Sequence, residues 1–260
     1  MSLRYARWLV LLLLPLLGAC ESDQPKFKMR QSASSNYFQA TQLVDRGLGG
    51  EALVKLNNIV WENPGSKVAN YAYLRLGDLY SERKEWDDAA AKYRMFLTLN
   101  PNSHLTPYAL YKLFVASYNK SLVGMILPTP EVDRNISIQR GLVMEYTRFY
   151  LLYPNSPYLQ KILPYYQASL VNLALYERMV GDFYMEREMY NSAIGRYQYL
   201  LRQYPAYPQT VEVVDRLIEA YRKNKEPQKA DELVQVRQRL FGKEPHSQGG
   251  QPLQPVALEP

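Results

Sequence analysis

The feature that most constrains this chain is a pattern of five residues that occurs twice. Gly77 is followed by tyrosine, alanine, tyrosine and proline at offsets of 3, 12, 16 and 24 residues. The same residue types follow Gly181 at the same four offsets. Five matching positions at identical spacing indicate an internal repeat, and a repeat of this length is typical of stacked helical arrays.

Weaker copies extend the repeat towards both ends of the chain. They consist of Ile218, Tyr221, Ala230 and Val234, and of Ala52, Leu56 and Pro64. The 37 residues from Pro64 to Pro101 make one full period. We therefore expect about five repeats, at residues 35–65, 69–102, 105–155, 157–206 and 208–241.

The residue types in the repeat predict an antiparallel pair of helices. A small residue such as Gly77 or Ala89 fits where two helices cross closely, and Tyr80 and Tyr93 fill the space between them. Pro101 ends the second helix, because proline lacks an N–H group and clashes with the preceding turn. One pair cannot bury its own apolar face, so we predict an all-α solenoid of stacked pairs over residues 36–241.

Two repeats depart from the regular spacing. Phe114 occupies the glycine position of the third repeat, and an insertion near residues 123–135 delays its second helix, which we expect to restart near Ile136. The fourth repeat has a long segment before Gly181, which predicts an extended first helix that could start at Pro164.

The amino terminus has the organisation of a secretory leader. Arg4 and Arg7 precede an apolar run at residues 8–17, which is too short for a comfortable membrane span. The run is followed by Leu17, Gly18, Ala19 and Cys20. This string resembles the lipobox of bacterial lipoproteins, in which the cysteine is acylated and becomes the first residue.

The segments on either side of the repeats are expected to lie outside the folded domain. Residues 1–19 would be a signal peptide, residues 20–35 a lipidated flexible tether, and residues 242–260 a disordered tail rich in proline, glycine and glutamine. Cys20 is the one cysteine of the chain and lies where the motif requires it. Glu21 follows, and the absence of aspartate there favours the outer membrane.

The composition gives no support to catalysis or to nucleic-acid binding. One cysteine and two histidines show no metal-ligand spacing, and no phosphate-binding glycine loop or GxSxG motif is present. The formal charge of +6 is spread among acidic residues rather than concentrated in runs. We therefore expect no enzyme activity, no cofactor, no metal and no nucleic-acid partner.

The regular repeats are similar to the tetratricopeptide repeat (TPR), which has a period of about 34 residues. With the lipobox, the insertion and the long fourth-repeat helix, the chain resembles the BamD family. The resemblance rests on Leu99-Asn100-Pro101, Tyr108-Ala109-Leu110-Tyr111, Val132-Asp133-Arg134, Tyr153-Pro154-Asn155-Ser156-Pro157-Tyr158 and the 177–190 segment. The chain departs from the family at three places. Phe114 and Glu188 stand where the family has glycine. The family's second Asp-Arg-Asp element is missing after Asn135.

The resemblance implies a lipid-anchored scaffold of the machine that inserts β-barrel proteins into the outer membrane. The carboxy-terminal repeats would bind periplasmic domains of BamA, with Arg196 at the contact, beside other lipoproteins of the machine. The amino-terminal repeats would engage unfolded outer-membrane β-barrel proteins. Another adaptor, such as a secretin pilotin or a regulator of cell-wall synthesis, remains an alternative.

Two sets of residues are candidate binding sites. Register within the repeats places seven residues on the concave side of the first helices, where they either line a peptide groove or pack between helices: Tyr37, Thr41, Tyr71, Asp78, Tyr108, Tyr111 and Tyr118. Asp133 and Arg134 either contact a partner from a fixed loop or have a structural role. Arg187 and Arg196 are either partner contacts or part of a polar face.

Overall fold

The computed structural model describes residues 32–122 and 130–242, with the backbone alone for residues 130–134. This part of the chain consists of ten helices and contains no strand. They are α1 (Ala33–Asp45), α2 (Gly49–Glu62), α3 (Lys67–Glu82), α4 (Trp86–Leu99), α5 (Thr106–Leu122), α6 (Pro130–Leu152), α7 (Tyr158–Glu186), α8 (Tyr190–Gln203), α9 (Thr210–Lys223) and α10 (Pro227–Phe241). Consecutive helices pack as five pairs, which confirms the predicted all-α TPR-type architecture.

Within most pairs, a left-handed residue makes the turn between the two helices. The position is Gly47 after α1, and Lys84, Glu188 and Lys225 after α3, α7 and α9, all at positive φ. After α7 the N–H of Glu188 donates to Met185, and the next N–H donates to the carbonyl of Tyr184. These bonds satisfy the last carbonyls of the first helix and reverse the chain.

The predicted close crossings lie between α3 and α4 and between α7 and α8. A Cβ atom at Gly77 would collide with the ring of Tyr93, and one at Gly181 would collide with the ring of Tyr197. Both rings are fully buried. The repeat signature therefore encodes a contact between a backbone and an aromatic ring.

The third repeat is built differently. Phe114 is buried on α5, and Tyr146 stacks on Tyr166 of the next repeat, with ring centroids 4.1 Å apart and planes 14° apart. The prediction that the second helix restarts near Ile136 is wrong, because α6 already begins at Pro130. Proline suits the first position of a helix, where the N–H is not needed.

The fourth repeat has the predicted long first helix, α7, of 29 residues. The expected start at Pro164 is wrong, because the helix begins at Tyr158 and Pro164 lies inside it. A proline there removes one intrahelical hydrogen bond. Ile162 and Tyr165, on either side, are buried in the core, and this burial holds the helix together across the gap.

The amino-terminal boundary also differs slightly from the expected one, because α1 begins at Ala33 rather than at residue 36. No helix among the described residues is both long and apolar enough to cross a membrane. Buried apolar residues form successive clusters along the array, and each cluster draws on neighbouring pairs.

Candidate binding surfaces

Asp78 is the centre of a polar cluster on the first helices of the amino-terminal repeats. Its carboxylate accepts a hydrogen bond from the Tyr93 hydroxyl at 2.9 Å and another from the Tyr108 hydroxyl at 2.6 Å. The guanidinium of Arg75 lies 3.9 Å away. One carboxylate therefore ties α3 to α4 and to α5 and holds Tyr108 in a fixed orientation.

Two further predicted residues lie around this cluster. Tyr37 is half-buried, and burial raises the pKa of its phenol, an effect to which Asp78 and Tyr71 add and which Arg75 opposes. Tyr37 is therefore close enough to Asp78, Arg75 and Tyr71 for their charges to act on its pKa. The side chain of Tyr71 is 42% exposed, which leaves its ring available to a partner.

The tyrosines continue across α5 to α7. Tyr111 stacks on Tyr158 with centroids 5.4 Å apart, and Tyr108 meets the same ring edge-on at 5.7 Å. The ammonium group of Lys161 lies 5.5 Å from the Tyr158 ring and 5.9 Å from the Tyr111 ring. Tyr37, Tyr71, Asp78, Tyr108, Tyr111, Tyr158 and Lys161 together form what is called the tyrosine surface below.

Tyr118 is a correction to the predicted groove. Its ring is fully buried and packs edge-on against Tyr165, so it cannot line a surface. Burial raises the pKa of its phenol to about 12, although a hydrogen bond from Asn172 opposes the change. Thr41 is half-buried, and its hydroxyl donates to the carbonyl of Phe38 in its own helix.

The carboxy-terminal repeats contain a buried carboxylate held by two arginines. Glu177 on α7 is 2% exposed and accepts a hydrogen bond from Arg196 of α8 at 2.9 Å. Arg140 of α6 approaches the other oxygen of the same carboxylate at 3.7 Å. Arg196 is itself 40% exposed, so its guanidinium is fixed on one side and open to solvent on the other.

A second ionic network joins α7 to α9. Arg178 is almost wholly buried and lies 2.8 Å from Glu212 and 3.8 Å from Asp182. Asp182 also pairs with Arg216 at 3.2 Å and accepts a hydrogen bond from the Tyr197 hydroxyl at 2.6 Å. Asp182 follows Gly181 as Asp78 follows Gly77, so a carboxylate anchors the buried tyrosine in both repeats.

The remaining predicted residues are dispersed. Arg187 caps the end of α7, with its guanidinium 4.1 Å from the centre of the Phe183 ring. Asp133 and Arg134 belong to the first turns of α6 rather than to the expected loop, and their side chains lie outside the described part. Cys20, the tether before residue 32 and the tail after residue 242 also lie outside it.

No group of histidine, cysteine and acidic residues in the described ranges could hold a metal ion. The surfaces found within those ranges consist of aromatic rings, guanidinium groups and carboxylates on a rigid helical frame. Aromatic residues and arginine are enriched where proteins bind other proteins. Fold and surfaces together define a TPR-type helical-repeat protein.

The profile of the YfiO family, described as outer membrane lipoprotein, matches residues 29–236. The chain belongs to this family. The outer membrane protein assembly factor BamD of Vibrio cholerae is 25% identical over 213 residues, which cover 81% of this chain and 88% of the relative. BamD of Rickettsia prowazekii is 24% identical over 79% of each chain. The chain is thus a divergent relative of BamD.

Solved structures with a similar fold are much more distant in sequence. A thermophilic TPR protein of Thermus thermophilus is 15% identical, with a TM-score of 0.37 and coverage of 82% of this chain and 93% of that one. The MamA protein is 15% identical, with a TM-score of 0.35 and coverage of 88% and 98%.

Proposed function

We propose that this chain is a lipid-anchored scaffold of the machinery that assembles β-barrel proteins in the outer membrane. Its anchor is an acylated Cys20, its carboxy-terminal repeats bind BamA, and its amino-terminal repeats bind unfolded barrel proteins. The observation that carries the proposal is the family match over residues 29–236, together with relatives whose names are those of assembly factors.

The geometry around Arg196 supports a role for this residue at the BamA contact. A long side chain loses conformational entropy when a partner orders it. Arg196 is already ordered by the buried carboxylate of Glu177, and 40% of it remains exposed. The part of its donor fork that faces solvent can therefore bind a carboxylate of a partner at a low entropic cost.

An experiment on the BamA contact compares two arginines of the same helix. Arg196→Glu should abolish co-purification of BamA, because it reverses the charge at the contact, and a circular-dichroism melt checks that the added carboxylate beside Glu177 leaves the chain folded. Arg202→Glu makes the same change at an exposed position one turn and a half further along α8 and should leave co-purification intact. Equal yields of BamA with both variants would refute the assignment of Arg196.

The tyrosine surface supports binding of an extended peptide that ends in an aromatic residue. The exposed ring of Tyr71 and the stacked rings of Tyr111 and Tyr158 offer flat apolar area with polar tips. Lys161 beside the stack supplies a cation for a terminal carboxylate. These features suit the carboxy-terminal end of an unfolded barrel protein. The free terminal carboxylate of that protein would be part of the bound ligand.

A binding titration distinguishes specific binding at this surface from non-specific binding. A peptide that ends in phenylalanine should bind the full chain more weakly when its carboxylate is amidated, and more weakly after Tyr111→Ala. Tyr150→Ala removes a 53%-exposed tyrosine from α6, a helix that contributes no residue to this surface, and should have no effect. Insensitivity to both amidation and Tyr111→Ala would refute the peptide site.

A further inference from the structure

A groove runs along α5 between α4 and α6, on a different part of the third repeat from the tyrosine surface. Its volume is about 670 Å³, and it follows α5 from Thr106 to Ser117, a rise of roughly 17 Å. Its floor and walls include six large apolar side chains: Leu97, Leu110, Leu113, Phe114, Leu142 and Phe149.

The sequence explains why the third repeat has this groove. In the second and fourth repeats, a glycine on the first helix lets a tyrosine of the second helix close down on it. Phe114 stands at that position in the third repeat, and its ring lines the groove. Tyr146, the counterpart of the closing tyrosine, stacks instead on Tyr166 of α7. Tyr146 therefore does not fill the crossing of α5 and α6 as Tyr93 and Tyr197 fill theirs.

Gly141 is one of the residues that line the groove. Gly141 lies inside α6, where glycine costs about 0.5–1 kcal/mol relative to alanine. A Cβ atom there would meet no heavy atom of the described residues within 4 Å. Gly77 and Gly181 are explained by the rings they contact, whereas the space beside Gly141 is open. A small residue at this place permits the backbone of another helix to approach closely.

The charges along the groove favour an acidic occupant. Arg94 on α4 and Arg148 on α6 stand on opposite walls. Glu145 is the one carboxylate of the lining and lies 3.8 Å from Arg148, whereas Arg94 has no ion-pair partner among the described residues. The lining therefore has an excess of positive charge.

We propose that this groove binds an acidic amphipathic helix of a protein partner. Its apolar face would lie on α5, a small residue would face Gly141, and carboxylates along its two edges would meet Arg94 and Arg148. Docking of this kind uses apolar anchors spaced three and four residues apart in a preformed groove. The proposal concerns a surface separate from Arg196 and the tyrosine surface and does not depend on the function proposed above.

Disulfide trapping on the full chain in mild detergent tests the groove, and the wild-type chain, whose one cysteine is Cys20, gives the background trapping. Leu152→Cys places a thiol in the groove lining at a position that is 56% exposed, and Leu240→Cys places one at a 66%-exposed position on α10. The probes are two amphipathic helical peptides of about 15 residues, each with leucines on one face. The residues that flank the leucine face are glutamates in one peptide and lysines in the other. Each carries a pyridyl disulfide, from which the protein thiol displaces pyridinethione.

The glutamate peptide should be trapped at position 152 at least about tenfold faster than the lysine peptide, and without this preference at position 240. Reversing the walls with Arg94→Glu and Arg148→Glu should invert the preference. Equal trapping of both peptides at position 152, or trapping of the glutamate peptide that added oleate slows more than about tenfold, would contradict an acidic helix as the occupant.

A matched pair of variants tests the shape of the site. Gly141→Leu projects a side chain into open space and should reduce trapping to the level seen at position 240, with the thermal melt retained. Thr147→Leu adds an apolar side chain to another face of the same helix and should leave trapping unchanged. Equal effects of the two variants on trapping would refute the groove as the binding site.

Discussion

The ring of Tyr197 occupies the space beside Gly181 in which a side chain would otherwise stand. Gly181→Leu should therefore lower the free energy of unfolding by about 2 kcal/mol or more, because the larger residue forces α7 and α8 apart. Gly195 on α8 is a matched control, since a Cβ there meets no heavy atom of the described ranges within 4 Å. Gly195→Leu should be neutral or slightly stabilising in denaturant titrations; equal losses for the two variants would contradict the close crossing.

The turn after α7 forces Glu188 into a left-handed conformation at φ 59°. This conformation costs a residue with a side chain about 1–2 kcal/mol, and glycine adopts it freely. Glu188→Gly should therefore raise the melting temperature, with a gain of up to about 1 kcal/mol. Glu232→Gly, in the middle of α10, should lower it by a similar amount. A loss of stability from Glu188→Gly would contradict the assigned turn.

The buried carboxylate of Glu177 depends on its arginine partners. Arg196→Met should cost about 1–2 kcal/mol, a figure reduced because Arg196 is partly exposed and Arg140 remains nearby. The double variant Glu177→Leu with Arg196→Met should recover much of the loss, since an apolar pair leaves no buried charge unpaired. Chemical denaturation compares the two, and a double variant less stable than the single one would contradict this account.

Buried Tyr118 and half-buried Tyr204 predict a loss of stability at alkaline pH. Burial raises the pKa of Tyr118 and of Tyr204 to about 12, compared with about 10 in an unfolded chain. Between these values the folded state binds more protons than the unfolded state, so stability is complete below pH 10 and falls as the pH rises. Thermal melts at pH 8 and pH 11 should show the decrease, and an unchanged melting temperature would contradict it.

Cys20 is the predicted point of attachment to lipid, and it is the one cysteine in the sequence. Cys20→Ser removes the thiol that would be acylated, so the variant should leave the membrane fraction. At least two acyl chains are needed for stable anchoring, and none would remain. Fractionation in a strain depleted of BamA avoids indirect retention, and persistent pelleting of the variant there would contradict the lipid anchor.

The regular repeats could be predicted from sequence because their contacts are local and periodic. Gly77 and Tyr93 are 16 residues apart and belong to one helix pair, so the recurring spacing predicts the crossing itself. The turn residues were harder to recognise. Lys84, Glu188 and Lys225 have the same left-handed conformation without the glycine that normally signals it.

The irregular repeats could be predicted only in outline. Register within the repeat predicts Tyr118 in the groove, but its ring packs in the core against Tyr165 of α7, a contact with the next repeat that register alone does not encode. The pairing of Arg196 with Glu177 joins different helices through burial that a linear pattern does not encode. A linear pattern likewise does not place Tyr158 and Lys161 beside Tyr111, since they meet that ring only after α7 packs on α5.

The central claim is that this member of the YfiO family works as a scaffold of the barrel-assembly machinery. The most direct measurement is purification of the tagged full chain from membranes in mild detergent, with mass spectrometry of the proteins that co-elute. The account predicts stoichiometric recovery of BamA, lost on Arg196→Glu and retained on Arg202→Glu. Recovery of a secretin or a peptidoglycan synthase in the absence of BamA would contradict it and assign the same fold to a different envelope complex.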